Sequence, residues 1–73
     1  MIDGAANILV TVNGESRSIP EGESLSGLLL ALGIRDGAVA VELNRALVAR
    51  QEFSNVKLKQ GDVLEIVTFV GGG

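Results

Sequence analysis

Apolar and polar residues alternate in several short runs along this chain, and one run repeats at helical spacing instead. From Ile8 the alternation sets Ile8, Val10 and Val12 against Leu9, Thr11 and Asn13, which predicts a strand with one buried face. Asn13-Gly14 follows, and because both residues tolerate positive φ the pair predicts a tight hairpin into a second strand over 15–19, ended by Pro20. After the turn Glu21-Gly22-Glu23, Ser24 is placed as a helix N-cap whose hydroxyl accepts from an orphaned backbone N–H. Leu25, Leu28, Leu29 and Leu32 then fall at i, i+3, i+4 and i+7, a single apolar stripe, and Gly33 is placed to end the helix in the left-handed conformation. Gly27 stands where a capping box carries Glu or Gln, at a cost of about 1 kcal/mol relative to alanine. Alternation resumes over 39–43 with Val39, Val41 and Leu43 inward, turns at Asn44-Arg45 into a short return strand over 46–48, and recurs at Val56-Lys57-Leu58 after an irregular stretch around Phe53. Past the turn at Gly61-Asp62, a last strand over 63–69 puts Leu64, Ile66 and Thr68 on one face and Val63, Glu65, Val67 and Phe69 on the other.

A hairpin, one helix, a strand, a short strand and a final strand leave one helix to cover one face of the sheet. The compact solution is an α+β, β-grasp (ubiquitin-like) domain: a mixed sheet with its first and last strands parallel at the centre and the helix packed across one side. Residues 1–7 are expected as a loose lead-in, 8–70 as the domain and 71–73 as a flexible glycine tail.

Composition narrows the chemistry. In 73 residues there is room for one core and no deep pocket. Cysteine and histidine are both absent, so disulfides, thiolate metal sites and the commonest general base are excluded, and a self-sufficient catalytic site is not expected. A formal net charge of -3 and two phenylalanines as the only aromatics argue against nucleic acid and for a basic partner surface. No apolar run is long enough to span a bilayer, no signal peptide is evident, and a cytoplasmic location is expected.

The last strand runs straight into Gly71-Gly72-Gly73, which reads as a presented tail. Three extended residues reach roughly 10 Å, and the lack of Cβ lets them thread a slot closed to side chains. The α-carboxylate of Gly73 is the expected reactive group. As an anion at neutral pH it is a poor electrophile, so it must be activated first, most simply by attack on the α-phosphate of ATP to give an acyl-adenylate.

The Val12-Asn13-Gly14-Glu15 turn, Val39-Ala40-Val41-Glu42-Leu43-Asn44, and the run from Gly61-Asp62-Val63 to Phe69-Val70-Gly71-Gly72-Gly73 together resemble the ThiS family, the sulfur carriers of thiamine biosynthesis. The resemblance covers nearly everything from Ile8 to Gly73. It requires Gly72 and Gly73, treats Gly71 as an extra that some members share, and is departed from at Gly27, where an acidic residue is frequent. It implies a reagent and not an enzyme. A ThiF-type adenylyltransferase would adenylate Gly73 with ATP and magnesium, sulfur from a cysteine persulfide donor would leave a thiocarboxylate, and the thiazole synthase ThiG would accept that sulfur. No metal and no cofactor would be bound by this chain itself, which has no P-loop.

Strand parity adds a docking surface. If Val12, Val41 and Ile66 face the helix, then Leu9, Ala40, Val67 and Phe69 lie on the uncovered face, with Val70 beside them, and form an apolar patch next to the tail for partner binding. Glu42 and Glu65 add attraction for basic groups. Two other readings share the activation step: a molybdopterin synthase small subunit, whose proline-bearing segment before the glycines is missing here, and a ubiquitin-like protein modifier that passes Gly73 to a lysine. A plain interaction domain, with no chemistry at the tail, is the third.

Overall fold

The computed structural model describes residues 6–35 and 38–69. Its elements follow the order β1 (Asn7–Val12), β2 (Glu15–Pro20), α1 (Leu25–Ala31), β3 (Val39–Leu43), β4 (Ala46–Val48), a 3-10 turn (Arg50–Glu52) and β5 (Val63–Thr68). The five strands form one sheet in the order β2-β1-β5-β3-β4, with β1 and β5 parallel and the other neighbours antiparallel. This is the β-grasp arrangement expected from the pattern. Strand β1 begins at Asn7, inside the expected lead-in, and the Ala6 carbonyl is already engaged by the Glu21 N–H at 2.9 Å; residues 1–5 lie outside the described residues.

Local chemistry accounts for the turns. Asn13 and Gly14 both take positive φ, 51° and 85°, which matches the twist of the flanking strands. Ser24 caps α1, its hydroxyl accepting from the Gly27 N–H at 3.0 Å, and Gly33 at φ 76° follows the last turn. The space beside Gly27 is filled by the Glu23 carboxyl group, which a Cβ at that position would meet. Negative charge at this helix start is thus supplied from Glu23, before the cap, and not from the third helical position.

One face of the helix meets one face of the sheet. Leu25, Leu28 and Leu29 are buried against Val10, Val12, Val39, Val41, Leu64 and Ile66, the inward residues of β1, β3 and β5. Phe53 is the largest fully buried side chain, and the pattern offered no periodicity that placed it in the core. It is carried there by the 3-10 turn, and its carbonyl accepts from the Ser26 N–H at 3.0 Å. The segment 56–58 is not the strand its alternation suggested. Lys57 makes a single bridge to Ser24, while the Val56 carbonyl accepts from Leu25 N–H and Leu58 N–H donates to the Glu23 carbonyl, both at 2.9 Å. These bonds tie the segment to the helix start and drop Leu58 into the core.

Strand β5 is held on both sides. It pairs with β3 over five residues but with β1 over two, Thr11 with Val63 and Val12 with Leu64. Where β1 turns away, the Asn13 amide continues the ladder: Oδ1 accepts from Ile66 N–H at 2.7 Å and Nδ2 donates to the Ile66 carbonyl at 3.0 Å. Asn44, also at positive φ in a hairpin turn, does the corresponding work near the start of β5, where its Oδ1 accepts from Val63 N–H at 2.9 Å and its Nδ2 donates to Asp62 Oδ1 at 3.0 Å.

Two substitutions check this account. Asn13→Gly keeps the turn conformation but removes both bonds to Ile66, and urea denaturation is expected to show a loss of about 1–3 kcal/mol. Gly27→Ala needs only the flexible end of Glu23 to move, and the same measurement is expected to show a gain of about 0.5–1 kcal/mol.

Candidate functional site

Alternation along β5 decides what the domain presents. Leu64 and Ile66 are buried under the helix, so Val63, Glu65 and Val67 point to the open face, with Phe69 following. Phe69 is also the last described residue of the chain, and its N–H donates to the Ala38 carbonyl at 2.9 Å. That bond fixes the point from which residues 70–73 continue. Val70, Gly71, Gly72 and Gly73, the expected end of the docking patch and the expected reactive tail, lie outside the described residues.

Of the residues expected in a docking patch, the fold brings three together. Ala40 is directly opposite Val67 across the β3–β5 ladder, and Phe69 follows on the same face. Val67 and Phe69 are 57% and 58% exposed, far more than a core strand residue leaves open. Leu9 is exposed on the same face but does not belong to the patch. Because β1 runs parallel to β5 with Thr11 beside Val63, Leu9 comes level with Gly61, whose N–H donates to the Leu9 carbonyl. Val67 is six residues further along, about 20 Å away at the rise of a strand. Parity identified the face correctly, but it carries no information about position along it.

One residue of the patch escaped the sequence reading: Leu47, at 74% exposure, pairs with Glu42 at the β4 edge. A three-residue strand shows too little alternation to orient its side chains, so Leu47 could be placed only once its partner on β3 was known. The remainder of the open face, toward β2, is different in character: Thr11 stands opposite Ser16 and Leu9 opposite Ser18.

Within the apolar half sits a shallow depression of about 470 Å³, lined by Ala40, Glu42, Arg45, Leu47, Glu65 and Val67. Glu42 and Glu65 are directly opposite one another across the ladder. Both are exposed, and the one ion pair among the described residues is Arg17 with Glu15 at 3.9 Å, on another part of the sheet. Arg45 lines the depression yet bridges neither carboxylate. Among the described residues no group of three or more acidic side chains is arranged to hold a metal ion, and no helix is long and apolar enough to cross a membrane.

This geometry defines a β-grasp domain of the ubiquitin-like class, with its last strand at the centre of the sheet. Within that class the chain belongs to the ThiS family, whose sequence pattern matches residues 10–73. Among its relatives, the sulfur carrier protein ThiS of Thermus thermophilus is 37% identical over 65 residues, 89% of this chain and 100% of that protein. A thiazole synthase of Magnetococcus marinus is 42% identical over 64 residues, which is 88% of this chain and 20% of that protein; the chain thus spans about a fifth of the synthase's length. The crystal structure of the thiamine biosynthesis protein ThiS from Geobacter metallireducens superposes with a TM-score of 0.77 at 35% identity, covering 90% of this chain and 100% of that one.

The facing glutamates are a stability liability. Like charges directly opposite on a sheet destabilise it, so Glu65→Gln is expected to raise stability by about 0.2–1 kcal/mol in urea denaturation, with the gain shrinking as salt screens the pair.

Proposed function

We propose that this chain carries sulfur for the thiazole of thiamine on the C-terminal carboxyl group of Gly73. In the first step a carboxylate oxygen attacks the α-phosphorus of ATP in a ThiF-type adenylyltransferase, with magnesium on the phosphates, and pyrophosphate leaves. The outer sulfur of a partner's cysteine persulfide then displaces AMP to give an acyl disulfide, and a second thiol on the partner side attacks the inner, cysteine-derived sulfur, which breaks the S–S bond, leaves the thiocarboxylate on Gly73 and forms a disulfide between the two thiols. Thiazole synthase takes up that sulfur, and the carboxylate is regenerated.

The observation that carries this reading is that the family match runs through Gly72 and Gly73 to the end of the chain. The synthase relative supports the choice of acceptor, since a stretch similar to this chain is part of a thiazole synthase there. Residue content agrees with the division of labour: the persulfide must come from a partner, because the chain has no cysteine, and the commonest general base, histidine, is missing as well. Its own contribution is positional. A β5 bonded on both edges, with Phe69 tied to Ala38, gives the tail a defined origin relative to the docking face.

Intact-protein mass spectrometry tests the proposal. Incubated with the adenylyltransferase, ATP, magnesium, a persulfide donor and a thiol reductant, the full chain is expected to gain the mass difference between sulfur and oxygen, and to lose that gain on addition of thiazole synthase and its substrates. Deletion of Gly73 should abolish the gain while leaving the fold unchanged. Conjugation to lysines of other proteins, without a thiocarboxylate, would replace the sulfur carrier by the modifier.

A further inference from the structure

Asn13 is the one asparagine of the chain followed by a residue without a side chain; Asn7, Asn44 and Asn55 precede Ile8, Arg45 and Val56. That pairing has a chemistry of its own. In neutral or mildly alkaline water the backbone nitrogen of the following residue loses its proton and attacks the asparagine Cγ, a five-membered succinimide closes, and the side-chain nitrogen leaves as ammonia. Water then opens the ring at either carbonyl, giving aspartate or isoaspartate with no enzyme and no oxidant. Glycine hinders this closure least, and the space beside Gly14 is open, with no atom within 4 Å of the place a Cβ would take. Water has access too, because Asn13 is exposed and lines a depression of about 390 Å³ together with Arg17, Leu32 and Ile66.

Against this stands the way the fold holds the amide. Oδ1 accepts from Ile66 N–H at 2.7 Å and Nδ2 donates to the Ile66 carbonyl at 3.0 Å. Both bonds are made by the edge of a planar group, so Cγ cannot turn its face to the Gly14 nitrogen until both are broken. The hairpin is a second restraint, since ring closure must also pull Asn13 out of the turn in which it and Gly14 hold φ of 51° and 85°. We propose that Asn13 is a deamidation site guarded by β5: it reacts when the end of the β1–β2 hairpin parts from Ile66, and the product keeps the junction from re-forming. The donor at Nδ2 is gone once ammonia has left. Aspartate sets a carboxylate oxygen against the Ile66 carbonyl, and isoaspartate adds a methylene group to the main chain of a two-residue turn whose geometry fixes the register. Past the Val12–Leu64 pair, these two side-chain bonds are the ones that join the hairpin to β5 among the described residues, so modification leaves the outgoing part of β5 held by β3.

Peptide-mapped mass spectrometry of the full chain, incubated at mildly alkaline pH, tests this. Asn13 in the folded chain is expected to convert roughly tenfold or more slowly than in a synthetic peptide of residues 9–17, because two hydrogen bonds must be given up first, and to match the peptide when the chain is unfolded in guanidinium. Asn7, Asn44 and Asn55 should remain unconverted over the same period. Equal rates in folded chain and peptide, conversion of another asparagine ahead of Asn13, or no conversion in the unfolded chain would overturn the proposal. Asn13→Asp reads the consequence directly. At neutral pH its urea midpoint should lie below that of the parent chain, and the gap should close in acid. Protonated, the introduced carboxyl group donates to the Ile66 carbonyl as the amide did, so folding raises its pKa above the usual aspartate value of about 3.9. The pairing is therefore complete below that value and is lost as pH rises through the folded pKa. A variant as stable as the parent at neutral pH, or a gap that stays the same in acid, would equally count against it.

Discussion

Strand β5 depends on hydrogen bonds from both sides, and one of those sides is short. Its parallel pairing with β1 has only two register positions before the β1–β2 hairpin turns away. An unsupported strand end at the centre of a sheet would leave backbone donors and acceptors without partners, at a cost comparable to lost hydrogen bonds. Asn13 removes that problem by placing its own amide where the next peptide group of β1 would have been. Asn44 acts similarly from the β3–β4 turn. In both cases a residue chosen for its tolerance of positive φ also supplies an amide to the strand next door, so the hairpin turns and the central strand are one structural unit.

From that constraint the two faces follow. With β5 fixed in register, Leu64 and Ile66 must enter the core beneath α1, and Val63, Glu65 and Val67 must leave it. A domain of this size has a single helix and can cover one face only. The other stays open to solvent, with exposed apolar side chains and two carboxylates facing one another. For the proposed carrier role this is enough: a fixed β5, an open face beside its end, and a side-chain inventory with no cysteine to compete for an activated carboxyl group.

Much of this was legible in the chain. Asn13-Gly14, the Ser24 cap, the leucine stripe and the alternation in β1, β3 and β5 are local signals. Each reports the conformation of its own few residues, and each is found where it was expected. The misreadings concern residues whose role is set by something distant. Phe53 lies in an irregular stretch without periodicity and is buried because the 3-10 turn folds it beneath the helix start. Val56-Lys57-Leu58 alternates like a strand, but its backbone partners are Glu23 and Leu25, not a neighbouring strand. Leu9 shares a face with Val67 yet sits at the other end of it, since alternation reports which side a residue is on and not which residue lies beside it.

The sequence by itself determined the helix and the five strands, the side of the sheet that the residues of β1, β3 and β5 face, and the side-chain inventory, because conformational preference and composition are properties of short segments. Only the tertiary structure decided which of those residues meet. The register of β1 on β5 separated Leu9 from the patch, that of β3 on β5 set Glu42 opposite Glu65, and that of β4 on β3 brought Leu47 beside them. Register is set by long-range hydrogen bonds and core packing between segments far apart in the chain. No local pattern encodes it.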